Sequence, residues 1–223
     1  MRLEPFGAFL ALGIGLGLVL ADRLARASGL DRGLGASGFV TAAIAALGGA
    51  RLLYVAESPA RESFLEVLAL GRGGLSGYGA VLLGLLVFAA LSARTGATWR
   101  WLDVAAPGVL LAASVTRLGC ALTGCDASVA AYESALLLLL AAALVLGRRA
   151  QRQSGQTLLA AAIGYALVRA GLELALLDAP RRVLGLLTVT QAAALASVLL
   201  VSIAFVSASR ARSGSAPSPH RTR

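Results

Sequence analysis

Long apolar stretches alternate with short polar ones along this chain. The apolar stretches fall near residues 6–21, 37–55, 75–92, 102–123, 129–147, 157–177 and 184–207. An α-helix needs about 20 apolar residues to cross the hydrocarbon of a bilayer. An unpaired amide in hydrocarbon costs several kcal/mol, so each stretch is predicted to be a helix, which satisfies its own backbone. The expected fold is all-α, a polytopic membrane domain of about seven transmembrane helices over residues 1–207. The remainder, 208–223, is rich in Ser, Pro and Arg, the composition of a disordered basic tail. The first stretch lacks a clear small-residue cleavage site and reads as a retained span rather than a signal peptide. It carries Gly13-x-x-x-Gly17, a spacing that favours close helix approach but arises readily in any Gly-rich span.

Composition reinforces the membrane reading. The chain has 223 residues, is 58% hydrophobic and only 14% charged, and has a mean hydropathy of +0.81. Soluble domains are about 45–50% apolar. The net charge is +9, and all 20 basic residues are arginine. Nucleic-acid binding would cluster them, whereas these are scattered between apolar stretches, as topology signals and anionic-lipid contacts are. With the N-terminus outside, 12 arginines fall in inside segments and 5 in outside ones. That asymmetry predicts an N-out, C-in topology.

Three arginines remain, Arg51, Arg117 and Arg169, each within or at the end of an expected span. Charges in spans face a bundle interior or a wet cavity and mark functional sites. Glu133 and Glu173 share this position, with Asp103 near a span entrance. Arg169 and Glu173 are spaced i, i+4 and lie on one helix face, with Tyr165 a turn earlier. The bland reading is that these residues pair only to fix helix packing. Three arginines from three helices favour a shared anion instead, and the planar guanidinium fork suits phosphate. The expected ligand is a phospholipid headgroup entering from the bilayer.

Other chemistry finds little support. Cys120 and Cys125 do not have zinc-knuckle spacing, no second pair completes four ligands, and no metal or other cofactor is expected. Packing is the plain reading of both cysteines, a disulfide or reactive thiol the alternative. The single histidine, His220, lies in the tail. No phosphate-cradling loop or nucleophile elbow occurs.

The ordered series of polar residues resembles the bacterial prolipoprotein diacylglyceryl transferases. Their signature reads roughly Gly-Arg-hydrophobic-Gly-Asn-Phe-x-Asn-Gly-Glu. The corresponding stretch here is "TRLGCALTGC", in which Arg117, Gly119 and Gly124 match and Cys120, Thr123 and Cys125 replace Asn, Asn and Glu. "GGARLLYV" resembles the family's second-span end, with Arg51 and Tyr54. "LDVAAP" resembles the entry to the signature helix, "AAYESALLLL" the Tyr-Glu segment with Tyr132 and Glu133, and "YALVRAGLE" the Tyr-x3-Arg-x3-Glu pattern. "GRGGLSGYGAVLLG" has Tyr78 where the family usually has histidine, and Phe6-Gly7 stands in place of Tyr-Gly. The family's outer head domain of several dozen residues, between the signature and Tyr-Glu, is missing, since Cys125 and Tyr132 are nearly adjacent.

The resemblance implies transfer of a diacylglyceryl group from phosphatidylglycerol to the lipobox cysteine of a prolipoprotein in the bacterial inner membrane. It implies catalytic roles for Arg117, Arg169, Glu173 and Tyr78. Lipid contacts are implied for Arg51, Gly119, Cys120, Thr123, Gly124, Tyr132, Glu133 and Tyr165. Glycines 119 and 124 would let the backbone approach the headgroup. The implied partners are the phospholipid and the prolipoprotein signal peptide, without nucleic acid. Phe6, Tyr78, Cys120 and the missing head favour the alternative, a non-catalytic phospholipid-binding protein on the same fold. A transporter has no inverted repeat or paired broken helices to support it.

Overall fold

The computed structural model describes residues 5–30, 32–57, 76–123, 127–148, 153–176, 182–183 and 187–214. Seven helices account for nearly all of them. They are α1 (Pro5–Ala27), α2 (Arg32–Glu57), α3 (Gly77–Ala93), α4 (Thr98–Thr123), α5 (Ala127–Gly147), α6 (Gln156–Leu176) and α7 (Val189–Gly214). Each expected span corresponds to one helix. Between α6 and α7, two two-residue strands, β1 (Arg182–Val183) and β2 (Leu187–Thr188), pair antiparallel with Arg182 opposite Thr188. This small ladder leaves the fold class all-α. α7 also continues to Gly214, beyond the boundary expected at residue 207.

Five of the helices have a stretch long and apolar enough to cross a membrane, in α1, α2, α4, α5 and α6. The apolar parts described for the other two, Gly77–Ala93 and Leu195–Ala208, are shorter. The outer surface is apolar, with Leu82, Leu86, Leu122, Leu139, Leu167 and Leu174 all mostly exposed. A soluble monomer rarely presents a continuous apolar surface of this kind. The fold is that of a polytopic helical membrane protein.

Small residues set the helix spacing. α4 packs against α1, α5, α6 and α3, while α2 pairs with α3 and α6 with α7. A Cβ at Gly17 would come within 2.5 Å of the Gly108 carbonyl, one at Gly108 within 2.6 Å of the Gly17 carbonyl, and one at Gly13 within 2.7 Å of the Ala112 carbonyl. The Gly13-x-x-x-Gly17 pair is therefore the face on which α1 meets α4. Such contact replaces the hydrophobic drive that lipid cannot provide. Gly49 and Gly79 bring α2 and α3 together in the same way. Buried between α2, α3 and α4, Phe39 stacks on Phe88 at 4.7 Å and Trp101 stands edge-on to both at 6.4 Å. Ser114 and Ser134 exchange hydroxyl-to-carbonyl hydrogen bonds of 2.8 Å across the α4–α5 contact.

Candidate functional site

Because the helices alternate in direction, the start of α3, the end of α4, the start of α5 and the end of α6 lie at one end of the bundle. Arg117 occupies the last turns of α4, Glu133 the second turn of α5, and Tyr165, Arg169 and Glu173 one face of α6. The structure brings these residues together around Glu133, which is 1% exposed. Its Oε2 accepts from Arg117 Nε at 3.0 Å and from Arg169 Nη1 at 3.1 Å. Arg169 also reaches Glu173 through Nη2 at 3.5 Å, the i, i+4 pair expected from the sequence. Arg117 lies close enough to Tyr165, and Tyr78 to Arg169, to interact electrostatically.

Charge balance explains how the bundle tolerates this cluster. Two guanidiniums face two carboxylates, so the group is neutral, whereas an unpaired charge at the middle of a span costs about 3 kcal/mol even on insertion scales. The balance is not tight at every atom. Glu133 Oε1 is buried with no hydrogen-bond partner. The Arg117 side chain is 38% exposed although its Nε is bonded to Glu133, against 15% for Arg169. Arg117 is thus the cation at the mouth of the site and Arg169 the one inside it. Beside them, Leu136, Leu167, Val168, Gly171 and Leu172 line an apolar groove of about 410 Å³ between α5 and α6. Leu136 is one turn from Glu133 and Leu172 one turn from Arg169, so the groove opens next to the charges.

Several expected residues lie elsewhere. Gly119 does not present backbone to a headgroup, because a Cβ there would collide with the Phe9 side chain of α1. Its smallness serves helix packing. The Thr123 hydroxyl turns back to the Gly119 carbonyl at 2.9 Å and the Cys120 carbonyl at 3.3 Å. Cys120 is half-buried on α4. Tyr132 is 58% exposed on the outer face, although it precedes the most buried acid of the cluster. Arg51 is fully buried and sits over the Tyr54 ring at 5.4 Å. Gly124 and Cys125 lie outside the described residues.

A sequence profile of the prolipoprotein diacylglyceryl transferases matches residues 1–207. The chain belongs to that family. Among relatives named phosphatidylglycerol–prolipoprotein diacylglyceryl transferase, the protein of Thermus thermophilus is 40% identical over 129 residues, covering 56% of this chain and 46% of the relative. That of Synechococcus elongatus is 34% identical over 126 residues, 53% of this chain and 42% of its own. That of Thermosynechococcus vestitus is 29% identical over 122 residues, 53% and 46% respectively. The chain spans about half the length of the curated relatives it matches. α4 ends at Thr123 and α5 begins at Ala127, which leaves no room for a domain between the two helices in this family member.

The role of Glu133 as a hub was only partly legible. The sequence marked it as a charge within a span. Nothing in its spacing said that one of its oxygens would bridge arginines from two other helices.

Proposed function

We propose that this protein transfers a diacylglyceryl group from phosphatidylglycerol to the lipobox cysteine thiol of a prolipoprotein. The observation that carries the proposal is the convergence of Arg117 and Arg169, from α4 and α6, on one buried carboxylate beside an apolar groove. A phospholipid has the matching form, an anionic head joined to apolar chains. In this reading the chains use the α5–α6 groove and the phosphate meets the exposed part of the Arg117 fork, with Arg169 behind it.

The chemistry is a displacement at carbon. The substrate thiolate forms a bond to the terminal glyceryl carbon, and the bond from that carbon to the phosphate-bearing oxygen breaks. Glycerol phosphate leaves with the electron pair. The thiol proton passes through a carboxylate of the cluster to the departing phosphate, so charge and atoms balance. Glu133 has the open acceptor, Oε1, and Glu173 keeps Arg169 oriented. The arginines stabilise charge gathering on the phosphate, which is most effective where water is excluded. Tyr78 acts as a hydrogen-bond donor, since a phenol with an ordinary pKa of about 10 is a poor base at neutral pH. Tyr165, one turn before Arg169 on α6, stands beside the cluster. The topology is N-out, C-in in the bacterial inner membrane, with the cluster at the outer end.

The neutrality of the cluster favours a second reading, in which the arginines are held for packing and lipid is bound without chemistry. Purified protein in phosphatidylglycerol membranes with a lipobox peptide separates the two, with diacylglyceryl peptide read by mass spectrometry. Transfer is expected, and Arg117→Ala should lower it by about 10²–10³-fold, the size of losing one transition-state donor. Undiminished transfer in that variant would remove Arg117 from the mechanism. No transfer by the parent, with lipid still bound, would leave the second reading.

A further inference from the structure

The opposite end of the bundle holds a second polar site, built from the end of α1, the start of α4, the end of α5 and the start of α6. A cavity of about 690 Å³ opens there, and Ser28, Arg100, Asp103, Arg148, Gln153 and Thr157 contribute to its wall. Arg100 Nη2 donates to the Ser28 carbonyl at 2.6 Å, and Arg148 Nη2 donates to the Ser28 hydroxyl at 2.6 Å. One serine therefore gathers two guanidiniums from different helices.

The carboxylate in the wall does not neutralise them. Asp103 Oδ2 accepts the Gly155 amide at 2.5 Å and Oδ1 the Leu158 amide at 2.9 Å, with a further backbone bond from Thr157. Both oxygens cap the first turn of α6. Arg148 feels Asp103 as a nearby charge, but no salt bridge joins Asp103 to either arginine among the described residues. The pocket thus carries two guanidiniums against one carboxylate that is engaged elsewhere. Its depth is set by the sequence. The α4 span begins at Thr98, two residues before Arg100, and the α5 span ends at Gly147, one residue before Arg148. Both arginines stand near a span end, where anionic headgroups are met.

We propose that this pocket binds a phosphate oxyanion, clamping the ends of α1, α4 and α5 around it. Paired guanidinium forks suit an anion with several oxygens in different directions. Basic pockets between helices at the membrane boundary bind anionic headgroups in this way. The phosphate comes either from a phospholipid of the adjoining leaflet or from a soluble phosphate. The proposal does not depend on the transfer reaction.

The test uses the full-length protein in detergent, in the Arg117→Gln background so that the other site contributes less. Native mass spectrometry titrates phosphatidylglycerol, phosphatidylcholine as the neutral control, and inorganic phosphate. Phosphatidylglycerol is expected to bind in preference to phosphatidylcholine, and Arg100→Gln with Arg148→Gln should weaken it about tenfold or more. Gln153→Glu, which adds a carboxylate at the rim and leaves the Ser28 bonds in place, should weaken it as well. That variant decides the matter if the double substitution does not fold. Displacement of the lipid by inorganic phosphate assigns the pocket to a soluble anion, and resistance to displacement assigns it to lipid. Folded variants that bind phosphatidylglycerol and phosphate as the parent does would overturn the proposal, as would a parent that binds neither in preference to phosphatidylcholine.

Discussion

At the end of the bundle where α4 finishes, one carboxylate, Glu133, is shared by two guanidiniums. At the end where α4 starts, one carboxylate, Asp103, is bonded to backbone amides, and the two guanidiniums go to a serine. Both ends set two guanidiniums beside carboxylate, and the pairing differs. Within the span, water is scarce and each charge needs a counter-charge. At the boundary, guanidiniums are partly hydrated, and the stronger demand comes from the unpaired amides that begin α6. The first carboxylate balances guanidiniums within the span, while the second caps the start of α6.

Substitutions at the two carboxylates break the comparison most directly. Glu133→Ala leaves two guanidiniums without their shared partner and should destabilise the protein by about 3–5 kcal/mol, as removal of one member of a buried ion pair does. Thermal unfolding in detergent measures it, and Glu133→Gln should recover part of the loss while transfer stays low. Asp103→Ala leaves the α6 amides unsatisfied, for about 2–3 kcal/mol on the same assay. Asp103→Asn, which keeps one acceptor, should recover about half of that. If Asp103→Ala lowered transfer in a protein of unchanged stability, the division between a chemical end and a structural end would fail. The smallest effect is expected at Ser28. Ser28→Ala removes the bond to Arg148 and keeps the carbonyl bond to Arg100, a change of about 1 kcal/mol.

The seven helices were legible because hydropathy reports what the bilayer demands of each segment separately. The Arg169–Glu173 pair was legible for a related reason, since helical spacing fixes neighbours four residues apart. The spacing of Gly13 and Gly17 does not by itself mark an interface. The spacing is frequent by chance, and only the facing Gly108 and Ala112 reveal its use. Gly119, expected beside a headgroup, instead receives Phe9. A glycine shows in sequence that something comes close, but not what. Asp103 stood out as a polar residue at a span entrance, and the α6 amides it serves lie more than fifty residues away.

Sequence alone determined the class of fold, the approximate limits of each helix and the short list of charges that hydrocarbon would have to accept. Those properties are local, set by side-chain transfer energies and by intrahelical hydrogen bonds. Tertiary structure alone decided which charges of different helices meet. It joined Arg117 and Arg169 through Glu133, placed Tyr132 on the outer face despite its neighbour, and divided the carboxylates between guanidiniums and amides. Those outcomes depend on the rotation and depth of each helix against the others, which packing of glycines, serines and aromatic rings sets and no single segment encodes.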